Sequence, residues 1–253
     1  MLNERFQYFF VKPHTNCYTK NMNKKKIYFI VGIIITFFLI GVLPVTNAQI
    51  KQETINQITL REAQDLMNKT EYVINYPEPD WLIKELKEQV IDDLSRQGQE
   101  VPAASVKTAT IFIYEGTENS RHIGFGERMS VIKSFYYVFD RFPISELDWQ
   151  DVIKISAGRW PIQRNLDKEN QMKRVFEKIY LRQPDMNNTN DNAMITVVTY
   201  GLRPQKIDYE KQKIAHRYAT SLYFENKIIQ PGNKDWDKMW NIIRGIAYSG
   251  AIR

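Results

Sequence analysis

The chain has 253 residues, of which 35 are Lys or Arg and 29 are Asp or Glu, so its formal net charge is +6. Six of the basic residues and one of the acidic residues lie in residues 1–48, which leaves 29 basic and 28 acidic residues in 49–253. A nearly neutral chain lacks the basic surface through which proteins bind nucleic-acid phosphates. We therefore exclude nucleic acid as a partner of residues 49–253.

Residues 1–48 have the pattern of a signal peptide or membrane anchor. Three lysines at 24–26 precede an apolar run at 27–43, and Ala48 supplies the small residue that precedes a cleavage site; Met22 is an alternative start. The run of 17 residues is shorter than the about 20 that span a bilayer, which favours cleavage over anchoring. Because the lysines stay on the cytoplasmic side, both interpretations predict export. The expected location is extracellular, at the cell surface, or membrane-anchored and facing outward.

The only cysteine of the chain, Cys17, lies before the apolar run. Residues 49–253 therefore cannot form a disulfide, a thiol nucleophile or a Cys-based metal site. This part of the chain is long enough to bury a core, and its stability must come from packing.

Residues 49–107 are predicted to form an N-terminal helical segment. Its start at 49–57 is polar and is interpreted as a flexible lead-in. Thr59 and Glu62 have the spacing of a capping box, which predicts a short helix that begins there and ends at about Asn68.

A second helix is predicted from Asp80 to Gln97, with Gly98 just beyond its C-terminus. Apolar residues recur there every four positions, and acidic residues occupy much of the rest. That pattern is typical of a helix that packs one face against a core. The recurring residues are Leu82, Leu86, Val90 and Leu94.

Residues 108–253 are predicted to form a mainly α-helical domain with one short strand. The strand is predicted at 108–114, because this run is rich in β-branched and aromatic residues. A single strand cannot satisfy its own backbone hydrogen-bonding groups. We therefore expect it to pair with another segment or with a second copy of the chain.

The same domain is predicted to contain three stacked helix-turn-helix repeats, at 127–161, 169–204 and 210–250. Each unit has an apolar-periodic stretch, a connection with a proline, a second apolar stretch and a closing glycine. A glycine just after a helix supplies the positive φ that ends it. The closing glycines are Gly158, Gly201 and Gly250.

Apolar stripes at helical spacing predict which residues of each unit face the core. In the third unit, the first helix is predicted to bury Ile214, Tyr218 and Leu222. The glutamates that begin the units are interpreted as structural, because an acid is favourable near a helix N-terminus.

Several segments of this domain carry a resemblance to other proteins. They lie at residues 126–128, 158–161, 190–193, 200–204 and 246–251. These segments are similar to the C-terminal helical-repeat regions of exported bacterial envelope proteins from little-studied lineages, which have no established activity. The resemblance covers residues 108–253. It implies a surface or envelope location, and it carries over no catalytic residue.

Two carboxylates are the only catalytic candidates. Residues 49–253 contain no nucleophile elbow, zinc-protease motif, P-loop or dinucleotide fingerprint. A glycosidase needs only a pair of carboxylates. Glu127, which lies between glycines and not far from Asp148, is the candidate acid of such a pair.

The densest group of oxygen-bearing side chains contains Asp185, Asn187 and Asp191, which are candidate Ca²⁺ ligands. An EF-hand loop does not fit, because Asn190 stands where that loop has glycine and Thr196 where it has glutamate. The favoured interpretation is an Asx-rich turn in which Asn190 or Asp191 caps the next helix. No cofactor is predicted, and Ca²⁺ is the only alternative.

Candidate ligand contacts lie in two matching Gly-x-x-Pro segments. Trp160 lies between Arg159 and Pro161, outside the predicted helices, and Arg203 belongs to the second segment. The other tryptophans are interpreted mainly as core residues rather than as platforms for a glycan.

These observations together predict an exported, non-catalytic helical module that binds or scaffolds in the cell envelope. Its expected partner is an envelope protein or a glycan, with self-association through the 108–114 strand. Membrane contact is expected only through residues 27–43, if they are not cleaved off. The alternative is a peptidoglycan- or glycan-processing enzyme that uses a carboxylate pair.

Overall fold

The structure is a computed structural model that describes residues 47–69, 81–226 and 233–249. The predicted lysine-rich and apolar segments, Asp80 and Gly250 lie outside the described residues. The described ranges are mainly α-helical and contain no strand. Their nine helices are α1 (Asn47–Asn68), α2 (Trp81–Leu86, Lys87–Ile91 and Asp92–Arg96 in succession), α3 (Ala103–Tyr114), α4 (Phe125–Phe139), α5 (Glu146–Ser156), α6 (Leu166–Tyr180), α7 (Thr189–Tyr200), α8 (Tyr209–Asn226) and α9 (Asn233–Ser249).

The strand predicted at 108–114 is wrong, because these residues belong to helix α3. The hydroxyls of Thr108 and Thr110 donate to the carbonyls of Ala104 and Val106 at 3.0 and 2.9 Å, as threonines inside a helix do. A short apolar run that is buried on most sides shows neither helical nor alternating periodicity, so its β-branched content misled the prediction. The predicted self-association through a strand at this position is therefore no longer supported. The buried residues of the run are Thr108, Ala109, Ile111, Phe112 and Ile113.

Helix α1 corrects two further predictions. Residues 49–57 are helical rather than a flexible lead-in, so Thr59 lies inside the helix and does not cap it. Its hydroxyl donates to the carbonyl of Ile55 at 2.9 Å. A threonine with a glutamate three residues later has this spacing both at a cap and in mid-helix, which explains the error.

Helix α2 confirms the predicted amphipathic helix and explains its spacing. In an α-helix, residues four apart drift by about 40° per step, so a strict four-residue pattern would wind around the axis. The segment Lys87–Ile91 forms a π-helical turn, which is wider and compensates for this drift. All four predicted apolar residues are consequently buried, and Gly98 follows the helix with a φ of 76°.

Helix α4 lies at the centre of the packing and contacts α2, α3, α5, α7 and α9. The core has two apolar clusters, one built mainly from α1 to α5 and the other from α6 to α9. Helix α7 contributes to both of them, because different faces of it pack on each side. Val197 and Tyr200 belong to the first cluster, and Met194, Ile195 and Val198 to the second.

The apolar stripe predicted for α8 is confirmed at Leu222, which packs against the second cluster, and is wrong at its other two residues. Ile214 and Tyr218 are 49% and 43% exposed, whereas Ala215 and Ala219 are buried against α9. The buried residues Ala215 and Ala219 lie at helical spacing with Leu222, so the buried face is shifted by one residue from the predicted stripe. Alanine was not counted in the pattern of large apolar residues, which explains the error.

The helices of the pair α4–α5 end in the same way as the corresponding helices of the pair α6–α7. Helices α4 and α6 both have 15 residues, and each is followed by a residue in the left-handed region, Asp140 (φ 52°) and Leu181 (φ 54°). Helices α5 and α7 end at Gly158 and Gly201, which both have a φ of 68°. At both glycines a Cβ would also collide with neighbouring atoms, so no other residue fits.

The two pairs also share an ion pair across their connections. Arg141 forms a bidentate pair with Asp148 at the start of α5, with both distances 2.6 Å. Arg182 pairs with Asp191 at the start of α7 in the same way, at 2.6 and 2.8 Å. Each guanidinium lies over a phenylalanine six residues earlier in the chain, Phe135 at 5.2 Å and Phe176 at 5.0 Å.

A substitution at Gly245 can test the close packing of α9 on α7. A Cβ at this position would lie 2.6 Å from Met194 Sδ and 2.7 Å from a Val198 methyl group. We predict that Gly245→Ala destabilises the protein by about 1–3 kcal/mol, because overpacking outweighs the better helix propensity of alanine. Urea unfolding of the purified chain measures the change.

The matched control is Gly126→Ala in α4, where a Cβ would meet no atom within 4 Å. There the propensity alone acts, and the expected change is a stabilisation of up to about 1 kcal/mol. Equal effects of the two substitutions would contradict the described packing of α9.

Candidate binding cleft and buried charge cluster

The carboxylate of Glu127, in the first turn of α4, binds two arginines that come from distant parts of the chain. Arg203, just after α7, places Nε 2.6 Å from Oε2. Arg244, on α9, donates from Nη2 to Oε1 and Oε2 at 2.6 and 2.8 Å. Asn241 Oδ1 accepts from both guanidinium groups, at 3.2 and 3.3 Å. These residues, which we name the arginine group, join α4, the end of α7 and α9.

The two arginines of this group are buried, and the group is ionised. Arg203 is 1% exposed and Arg244 is 6% exposed. Burial, and then the neighbouring Arg244, lower the pKa of Arg203 to about 9, so that it remains protonated at neutral pH. Burial alone would raise the pKa of Glu127, but the two arginines outweigh it and the net shift is downward. The group thus carries two positive charges and one negative charge.

A second group of charged side chains lies next to the arginine group, and its basic member, Lys133, also belongs to α4. The Lys133 ammonium is 2.6 Å from Asp237 Oδ2 and 3.2 Å from Glu85 Oε1. Ser130 Oγ donates to the other oxygen of Asp237 at 3.3 Å. This lysine group, formed by Lys133, Asp237 and Glu85, has one positive and two negative charges. The two groups therefore balance each other, with the basic excess at the arginine end.

A cleft of about 490 Å³ opens beside this cluster, between α4, α6, α7 and α9. Ser134 and Asn241 connect the cleft with the charge cluster, because both residues line the cleft and Asn241 also binds the arginine group. Helix α6 contributes one face to it, with residues at helical spacing. The other lining residues are Tyr136, Tyr137, Val138, Asp140, Lys168, Gln171, Met172, Val175, Val198, Thr199, Asp235, Lys238 and Ile242.

The cleft combines an apolar surface with polar groups of balanced charge. Its two lysines each have an acidic partner, since Lys168 lies 3.4 Å from Asp140 and Lys238 lies 3.5 Å from Asp235. The Tyr137 ring lies 5.7 Å from the Lys238 ammonium. Burial, and then Asp237, raise the pKa of Tyr137, so its hydroxyl stays a neutral donor. Such a surface suits a ligand that is polar but carries little net charge.

The two carboxylates predicted as a catalytic pair are both held in ion pairs. Glu127 belongs to the arginine group, and Asp148 binds Arg141 in the bidentate pair described above. Asp148 also accepts from the backbone N–H groups of Ile144 and Ser145 at 3.1 Å. Burial alone would raise its pKa, but Arg141 and these hydrogen bonds lower it to about 2. A general acid requires the opposite shift, so neither environment suits that role.

Asp151 is a buried acid that the sequence did not single out. Its carboxylate accepts from the backbone N–H groups of Ile162 and Gln163 at 2.5 and 3.0 Å. Burial raises its pKa despite these bonds. The side chain of Gln163 also donates to both Asp148 and Asp151, at 3.0 and 3.1 Å. Asp151 therefore holds the connection between α5 and α6 in place.

The candidate Ca²⁺ ligands Asp185, Asn187 and Asp191 form hydrogen bonds at the connection before α7. Asp191 is buried, and its two oxygens bind Arg182 and the backbone N–H of Asp185. Asp185 in turn accepts from the backbone N–H of Asn187 at 2.9 Å. The N-cap of α7 is Asn188, so the prediction of Asn190 or Asp191 as the cap is wrong. Within the described ranges, no group of acidic, His or Cys side chains is placed to hold a metal.

The predicted ligand contacts do not share one surface. Arg159 and Trp160 are half-buried in the connection after α5. The Trp160 ring lies 4.1 Å from the Arg164 guanidinium and 6.2 Å from the Tyr200 ring. Arg203 lies inside the arginine group, although its backbone N–H reaches the end of α5 by donating to the Ile155 carbonyl at 3.1 Å.

Sequence reasoning missed the cleft and both charge groups. The lining residues of the cleft come from four helices, and Lys133 and Asp237 are more than a hundred residues apart. No local spacing reveals such neighbours. The Arg-Asp pairs could have been predicted from the sequence, because Arg141 and Arg182 each stand two residues before the connecting proline.

Asp148 allows the electrostatics of the α4–α5 connection to be tested. A pKa lowered on folding means that the ionised group stabilises the fold above about pH 4, and that this contribution disappears as the pH falls towards 2. We predict that Asp148→Asn costs about 2 kcal/mol of unfolding free energy at pH 7 and much less near pH 3. Denaturant unfolding at the two pH values measures both. Asp65→Asn, at an exposed position of α1, should cost less than about 0.5 kcal/mol at either pH.

None of the described helices combines the length and the apolarity that a membrane span requires, and the apolar run at 27–43 lies outside the described residues. Comparison of the chain with protein-family models, with curated proteins and with solved structures found no match. The architecture and the site geometry are therefore the observations on which a function can be proposed.

Proposed function

We propose that this chain is an exported, non-catalytic helical module that binds a glycan of the cell envelope in the cleft between α4, α6, α7 and α9. The observation that carries the proposal is the composition of the cleft. It presents tyrosine rings and an apolar surface together with amide, hydroxyl and charge-balanced groups. Sugar rings have apolar faces and many hydroxyls, so they use both kinds of surface.

The size of the cleft agrees with this occupant. A volume of about 490 Å³ falls within the range of small-molecule sites, which is about 300–1,000 Å³. The wall that α6 contributes carries Gln171, Met172 and Val175 at helical spacing. Hydrogen-bonding and apolar positions thus lie side by side along one helix, as a chain of sugar units requires.

The resemblance between helix pairs supports the stacked-repeat architecture that the module would have. Pairs α4–α5 and α6–α7 share the left-handed ends, the Arg-Asp pair and the arginine over a phenylalanine. The pair α8–α9 follows with helices of similar length, and its connection lies outside the described residues. Stacked pairs bury a continuous core between them and leave a groove on one face, where such proteins bind.

Export is proposed from the sequence pattern of residues 1–48, in which three lysines precede an apolar run. The ion-paired state of Glu127 and Asp148 supports a binding module over an enzyme that uses these two carboxylates. An envelope protein is the other partner that a helical groove of this kind would take.

The proposal is tested by blocking the cleft. Gln171 is exposed and lines the cleft, so a bulky side chain there fills it without disturbing the core. We predict that the full-length chain, purified in detergent, sediments with isolated cell-wall sacculi, and that Gln171→Trp weakens this binding at least about tenfold, or about 1.4 kcal/mol. Asn170→Trp is the matched control, since Asn170 is exposed on the same helix but does not line the cleft.

Three results would contradict the proposal. The first is no binding to sacculi, and the second is equal binding by the wild type and Gln171→Trp. The third is the release of soluble sugar fragments from the sacculi, which would favour the glycan-processing enzyme. Binding to a membrane-protein fraction but not to sacculi would indicate that the cleft binds a protein rather than a glycan.

A further inference from the structure

A second, smaller pocket lies away from the cleft, where the turn after α7 meets α8 and α9. Its volume is about 200 Å³. Three cations line it, Lys206, Lys211 and Arg244, against one acid, Asp208. The remaining lining residues are Pro204, Ile207, Gln212, Ala247 and Tyr248.

The single acid of this pocket is already engaged. Asp208 Oδ1 accepts from the backbone N–H of Lys211 at 3.1 Å, in the first turn of α8. The Lys211 ammonium lies 3.8 Å from the other carboxylate oxygen, a weak contact between exposed groups. Asp208 therefore stabilises the start of α8 and compensates Lys211 only weakly, while Arg244 takes its carboxylate partner, Glu127, from outside the lining of the pocket.

Arg244 is a fixed donor at the wall of the pocket. Glu127 and Asn241 hold its guanidinium on one side, as described for the arginine group. A guanidinium has five N–H groups, and three donations are made here, so two N–H groups have no acceptor among the described residues. A preorganised guanidinium of this kind binds carboxylate and phosphate groups well, because its planar fork matches their oxygens.

The charges of the arginine group also favour an anion in this pocket. Arg203 and Arg244 share one carboxylate, and Arg203 Nη2 has no partner among the described residues. Asp237 of the lysine group also acts on Arg203, but it pairs with Lys133 at 2.6 Å. Arg244 therefore lines the pocket while it shares its carboxylate with a second buried cation.

We propose that this pocket binds an anionic group, a carboxylate or a phosphate, on an organic ligand. Arg244 orients the anion, while Lys206 and Lys211 attract it from the exposed rim. Ile207 and Tyr248, which are 40% and 54% exposed, provide an apolar surface for the part of the ligand that carries the anion. This site does not depend on the cleft, and binding in one place does not require the other.

The test is isothermal titration calorimetry on the full-length chain in detergent at low ionic strength. The probes are glycerol phosphate for the phosphate source, N-acetylalanine for the carboxylate source, and N-acetylalanine amide as the neutral control. We expect saturable binding of at least one anion in the millimolar range, none of the amide, and weaker binding as salt is added. The tighter of the two anions identifies the source.

The variant Lys206→Gln/Lys211→Gln should weaken this binding at least fivefold, by an order-of-magnitude argument from the loss of two charges. Lys213→Gln is the matched control, because Lys213 is exposed on the same helix and does not line the pocket. Both substituted lysines are exposed, and an unchanged melting temperature shows that the fold is intact. Equal binding by the wild type and the double variant, or equal binding of the amide, would overturn the proposal.

Discussion

Burying a guanidinium group costs several kcal/mol unless an acid compensates it, and this fold buries two of them against one carboxylate. Glu127 provides that carboxylate from the first turn of α4, while Arg203 and Arg244 arrive from the end of α7 and from α9. Removing the acid would leave both cations inside the protein. Glu127 therefore connects α4 to the end of α7 and to α9, and its loss should be costly because two buried charges would remain.

The same interaction organises the two sites that the structure offers. Asn241 accepts hydrogen bonds from both arginines, and it also forms part of the wall of the charge-balanced cleft. Arg244 also lines the small pocket, beside Lys206 and Lys211. The charge-balanced cleft thus suits a neutral ligand, and the basic pocket suits an anion.

The sequence predicted the helical class, the buried face of α2 and the helix ends at Gly158 and Gly201, because local periodicity and backbone conformation determine them. It failed at 108–114, where a helix buried on most sides has the same composition as a strand. It failed in part for α8, where Ala215 and Ala219 face the core in place of Ile214 and Tyr218. Contacts that join distant helices, such as those of Lys133 and of the cleft, had no local signal at all.

The most direct test of the central role of Glu127 is a double-mutant cycle with Glu127→Gln and Arg244→Met, measured by denaturant unfolding. We expect Glu127→Gln to destabilise the protein by about 3–5 kcal/mol, because it leaves two buried guanidinium groups without their carboxylate. Arg244→Met should cost less, because Glu127 keeps its pair with Arg203. In the double variant the losses should fall short of their sum by at least about 1.5 kcal/mol. Losses that add to within about 0.5 kcal/mol would contradict the account, since they would show that the carboxylate and the guanidinium act independently.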